Sequence, residues 1–227
     1  MAYQMIHMEI AYRLLKQLSM VENGAEFILG AVAPDSVHMN QNYEVGMKVS
    51  SHMFEFCGKW GDTQDYKRWE SNIKDFFYRN AAGNERTKYR DFSLGMCVHC
   101  LTDYWNDIKI WKRLQKGYVS AMGFEGFRDA YYAEARAADL WLYQRGGNTE
   151  TIRSMLLQAE AVGIEGIVDA EEVDTQRNHL LTVQYAQPYV DISDHVFLPV
   201  ETVEEFISFA VQEIKDTIKL WQNERCY

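Results

Sequence analysis

Val203, Phe206, Ile207, Ala210, Ile214, Ile218 and Trp221 recur every three or four residues, the repeat of a helix that buries one face. Similar spacing runs through the rest of the chain. Ile6, Ile10, Leu14, Leu15 and Leu18 mark a first helix, ended near Gly24 by "ENG". "AEFILGAVAPD" reads as a short buried segment stopped by Pro34, because the residue ahead of a proline avoids helical geometry. A further helix carries His52, Met53, Phe56 and Trp60. Another starts near Asp62 or Thr63 and presents Trp69, Ile73, Phe76 and Phe77. Only three prolines interrupt 227 residues, and neither a useful strand alternation nor a hairpin turn is signalled. The expectation is an all-α fold, a single helical-bundle domain over residues 1–227.

The second half follows suit. Glu85 to Gln115 reads as one long helix with Gly117 beyond its end. Helical patterns return over Glu125–Arg145, closed by "GGN", over Thr149–Val162, and over Asp169–Gln184. "TVEE" at Thr202–Glu205 is a capping box, whose hydroxyl and carboxylate satisfy free amides at the start of the last helix.

Net charge is −10, and no basic cluster exceeds pieces such as "WKRLQK". A protein gripping duplex nucleic acid needs a positive face, so that partner is not expected. Small phosphate compounds stay open, since bound divalent cations offset negative charge locally. No run approaches the roughly 18 apolar residues that span a bilayer. The amphipathic start lacks the pattern of a secretory signal, so the expected location is cytoplasmic. There the four cysteines, Cys57, Cys97, Cys100 and Cys226, stay reduced. "CVHC" has C-x-x-C spacing but falls mid-helix with no second pair, which favours packing over redox or zinc chemistry.

The stretch "FSLGMCVHCLTDYWND" sets His99 four residues before Asp103 in an apolar run, so both project from one helix face. A buried carboxylate requires a hydrogen bond, an arginine or a metal. Asp35 follows Pro34 in a tight non-helical connection, where it is either a turn residue or an inward-pointing carboxylate. His52 in "SSHMFEF" and His7 in "MIHMEI" lie on faces otherwise read as core, where an ordinary hydrogen-bonded histidine is the alternative. Imidazole with carboxylate is a ligand set for zinc, and also for iron or manganese. Helical bundles build such sites in their interiors, although spacing alone does not bring the residues together.

The order of His7, "LGAVAPDSV", "SH" at Ser51–His52 and "SLGMCVHCLTD" resembles the zinc-dependent phospholipase C family, whose all-α fold is shared with single-strand-specific zinc nucleases. The resemblance covers about residues 5–107, and its most specific piece is "SLG…H…D". It implies that Asp35, His52, His99 and Asp103 ligate a first zinc, and that Asp103 bridges to a second ion bound by His7. Asp35 would also be the catalytic base that orients a metal-activated water. The activity implied is hydrolysis of a small phosphoester or lipid head-group substrate, phosphodiester or phospholipid-like. Trp60, Trp69, Trp105 and Trp111 would wall its pocket, unless they are simply core.

The chain also departs from that pattern. Where the family has a histidine shortly after the shared aspartate, this sequence reads "YWNDIKIW", with Asp107 the nearest ligand type. The family's later histidine with a glutamate four residues on is missing, since Val183 follows His179 and Pro199 follows His195 at that spacing. One or two ions are therefore expected, with His38, Asp107, His179 and His195 unplaced. The alternative is a metal-binding relative that has lost catalysis and acts through interactions.

Overall fold

A computed structural model describes residues 3–224, which form an all-α helical bundle. Its helices are α1 (Gln4–Leu15), α2 (Gly24–Gly30), α3 (Val45–Ser51), α4 (Tyr66–Phe76), α5 (Thr87–Asn106), α6 (Lys112–Arg145), α7 (Thr149–Gln158), α8 (Ala170–His179) and α9 (Val200–Glu224). A 3-10 helix, Ala33–Met39, follows α2. None of the described helices is long and apolar enough to cross a membrane. Cys226 lies outside the described residues.

Helix α5 is the axis. Every residue from Asp91 to Asp103 is buried, so this helix shows no amphipathic stripe and is packed by α1, α2, α4 and α9. Glycines allow the closest of these approaches. A Cβ on Gly95 would sit 2.2 Å from the Phe27 carbonyl oxygen, and one on Gly30 would sit 2.1 Å from that of Phe92. The α2 and α5 backbones therefore touch where any larger residue would hold them apart. Asp91, one turn before Gly95, accepts hydrogen bonds from the backbone amides of Glu22 and Asn23 at 2.9 and 2.6 Å, and so fixes the entry to α2.

Several expectations need correction. Pro34 does not stop a buried segment. It sits in the first turn of the 3-10 helix, where its missing N–H costs nothing, and Asp35 is therefore helical. No helix carries His52, Met53, Phe56 and Trp60 together. His52 caps the end of α3, Met53 and Phe56 take positive φ of 53° and 62°, and Trp60 lies in a hairpin pairing Gly58–Lys59 with Asp62–Thr63. Helix α4 begins after Asp65, whose carboxylate accepts from the Arg68 amide at 2.9 Å. The long helix does not end near Gly117. A π-helical turn, Asp107–Trp111, joins α5 to α6, and α6 breaks at Gly123, with φ 73° and ψ 161°. Thr202 is no cap, because α9 starts at Val200. Cys97 and Cys100 are buried within α5, where burial pushes both thiols up in pKa, as packing residues require.

Candidate metal centre

Four elements converge on the inner face of α5. Gly95, His99 and Asp103 succeed one another at one-turn intervals, so the contact with α2 also sets the height of the histidine. His99 Nδ1 lies 2.9 Å from the carbonyl of Ala31, just past the end of α2. That carbonyl is one of the acceptors a helix end leaves free, and an accept-only partner requires the proton on Nδ1. His52 is fixed in the same way. Its Nδ1 lies 3.0 Å from the Lys48 carbonyl and 2.9 Å from the Ser51 hydroxyl, which itself donates to that carbonyl. Trp69 Nε1 donates to the His52 carbonyl at 2.9 Å and holds the backbone there.

With both protons on Nδ1, the two Nε2 atoms carry lone pairs, and they face each other across 3.2 Å. Carboxylate oxygens close the same space. Asp35 Oδ1 is 3.3 Å from His52 Nε2, and Asp103 Oδ2 is 3.8 Å from the Nε2 of His52 and of His99. A tetrahedral shell with metal–ligand distances of about 2.0–2.2 Å has edges of roughly 3.3–3.6 Å. These imidazole–imidazole and imidazole–carboxylate separations match such edges to within a few tenths of an ångström.

His7, from α1, stands on the other side. Its ring stacks on His99 with centroids 3.8 Å apart and planes 8° from parallel. Its Nε2 is 3.5 Å from Asp103 Oδ1, and neither ring nitrogen makes an aligned hydrogen bond to a described residue, although His7 is fully buried. Asp103 thus turns one oxygen toward His7 and the other toward His52 and His99.

The electrostatics favour the metal-binding protonation states. Burial, with His7 adding to it, pushes His99 down to about 3, against the pull of Asp35 and Asp103, so the imidazole is neutral across ordinary pH. Burial alone would raise the Asp35 carboxyl. The Lys48 amine, with His52 and His99 adding to it only when protonated, outweighs it and holds the group well below its usual range. Asp103 is likewise lowered despite its burial, by His7, and by His99 and His52 when these rings are protonated.

The five predicted ligands fall into two overlapping triads, His7–His99–Asp103 and Asp35–His52–His99, that share His99. The unplaced candidates do not join them. Tyr66 donates to Asp107 at 2.6 Å, and His195 faces Glu134 at 3.9 Å. His38 sits at the rim, 3.9 Å from Asp35 and 3.4 Å from the Lys48 amine. His179 lines a cavity of about 780 Å³ that opens beside Asp35. Trp60 lines it too, whereas Trp69 and Trp111 are core and Trp105 packs against it. Sequence reading missed Gln4, whose amide donates to Asp35 Oδ2 at 2.7 Å, and Lys48, whose amine is 3.5 Å from Asp35 Oδ1 and 4.7 Å from the Trp60 ring centre. Ser51, adjacent to His52 in "SSHMFEF", was given no role there; its hydroxyl lies against the His52 ring. No pattern in the sequence marks Gln4 or Lys48.

Comparison with family models, with curated proteins and with solved structures returned no match.

Proposed function

We propose that this chain is a metal-dependent hydrolase of phosphoester bonds acting on small phosphodiester or phospholipid-like substrates. The carrying observation is the pair of imidazole lone pairs, 3.2 Å apart, that face each other and two carboxylates. Lone pairs and anions repel unless a cation lies among them, and burial disfavours a proton on His99.

The residues fit zinc, with iron or manganese as other occupants of the same donor set. Asp35, His52, His99 and Asp103 would hold one ion, and His7 with the second Asp103 oxygen would hold another. Bound there, a divalent ion supplies charge for the phosphoryl oxygens and acidifies a water. Asp35 stays ionised at neutral pH and so accepts a hydrogen bond from the attacking water. Gln4 fixes the orientation of that carboxylate, and the Lys48 amine beside it adds positive charge where the ester's phosphate would lie. The order of these residues along the chain, like that of zinc-dependent phospholipases C, supports the same reading.

One observation favours a second reading, a metal-binding protein without turnover. Four protein ligands would close the first site, and once His99 is committed there, only His7 and Asp103 of the other triad are left for the second. The two readings separate when protein loaded with zinc, manganese or iron is assayed on phosphomonoesters, phosphodiesters and phosphocholine esters. We expect turnover of at least one class, lost in His99→Ala and in Asp35→Asn. Stoichiometric metal without any turnover selects the second reading.

A further inference from the structure

The cavity beside Asp35 has a wall the cluster does not account for. Gln4, Gln176, Gln184 and Gln187 all line it, together with the exposed guanidinium of Arg136 and the Lys48 amine. Placed polar groups of this kind fix a small molecule's orientation in a pocket. The orientation of one is fixed by chemistry. A carboxylate only accepts, so the Gln4 Nε2 faces Asp35 and its Oε1 remains, with no hydrogen-bond partner among the described residues. Gln176 is 3% exposed, and its Oε1 also lacks such a partner. Asp139, by contrast, is occupied by the Met5 and Ile6 amides and the Tyr185 hydroxyl, and offers a ligand little.

Amides present both a donor and an acceptor, and the group that satisfies either pole is a hydroxyl. A quaternary ammonium group has no N–H or O–H to give them. A nucleobase needs free aromatic faces. Of the rings lining the cavity, Trp60 has a face covered by the Lys48 amine at 4.7 Å and Tyr185 has one stacked on Tyr143 at 4.0 Å, while Tyr3 and Tyr132 also stand at its wall.

We infer that the cavity receives a polyhydroxylated ring, a sugar or cyclitol, whose ester phosphate lies at the Asp35–Lys48 end. The position of the phosphate rests on the hydrolase reading, whereas recognition of the hydroxyls does not. The ring belongs either to a soluble phosphate ester or to a lipid head group, since the hydroxyls are the same.

The test compares myo-inositol 1-phosphate with cyclohexyl phosphate, equal rings that differ in hydroxyls, by calorimetry on protein stripped with a chelator. The expected preference for the inositol ester is at least about tenfold. Gln176→Leu should bring the ratio near one while leaving cyclohexyl phosphate affinity unchanged. The exposed Gln187→Ala, which carries no folding risk, should lower the ratio in part. Equal affinities in the unmodified protein overturn the inference, as does tighter binding of adenosine monophosphate that is indifferent to both variants. Vesicles with phosphatidylinositol, competed against the soluble ester, distinguish head group from free ester. Zinc added back reads the hydrolase separately. Preference without turnover overturns only that reading, and turnover without preference overturns only this one.

Discussion

His52 Nε2 and His99 Nε2 stand 3.2 Å apart with their other ring nitrogens committed to backbone carbonyls. The Ala31 carbonyl lies just past the end of one short helix, where acceptors are left without intrahelical donors, and the Lys48 carbonyl, near the end of another, also accepts from the His52 amide and the Ser51 hydroxyl. The fold thereby sets the tautomer of each histidine before any ligand arrives.

On the proposed reading Asp103 is the carboxylate that two ions would share, one through each oxygen. In titrations with zinc, Asp103→Ala should lose binding at both positions. His7→Ala should keep an ion at Asp35, His52 and His99 and lose only the weaker event. Calorimetric stoichiometry checks this, and equal losses in the two variants would contradict the shared-carboxylate arrangement.

Outer contacts should matter nearly as much as ligands. Ser51→Ala removes the hydroxyl 2.9 Å from His52 Nδ1, and Gln4→Leu removes the amide on Asp35. Each should weaken zinc binding by roughly tenfold or more, measured by chelator competition, with the helical signal unchanged.

Gly95→Ala should destabilise the protein by about 3 kcal/mol in a denaturant titration, because its Cβ would meet the Phe27 carbonyl at 2.2 Å. The same displacement moves Ala31 from His99, so metal affinity should fall with stability. A well-folded Gly95→Ala with full affinity would contradict the close α2–α5 contact.

Asp139 makes a pH prediction. Burial pushes its carboxyl up to about 6 from 3.8, against the pull of the Tyr185 hydroxyl, the Ile6 and Met5 amides and His7. The folded state therefore binds this proton more tightly than the unfolded chain does. The group's stabilising contribution is full below about pH 4 and is lost as pH rises through about 6, a change of about 3 kcal/mol. Asp139→Asn should lack that component, so the stability difference between the two proteins should shift by this amount between acid and neutral pH.

The helical character and the His99–Asp103 face were legible because periodicity and i,i+4 spacing are local properties. Pro34 and His52 were misplaced because a proline fits the start of a 3-10 turn as readily as it ends a helix, and because a helix's last residue keeps the apolar neighbours of its interior. That Asp35, His52, His99, Asp103 and His7 would meet came from the resemblance, not from spacing. The contact that aligns them, Gly30 on Gly95, looks in sequence like two ordinary glycines within helices. Gln4 and Lys48 gain their meaning only from Asp35, distant from each of them in the chain.

The central claim is that these five side chains hold a divalent cation. Elemental analysis of protein purified without added metal, alongside His99→Ala, tests it most directly. The account predicts at least one zinc, iron or manganese ion per chain, and markedly less in the variant. Protein that carries no metal, and takes up none when supplied with these ions, would contradict it and leave a proton to bridge the two imidazoles.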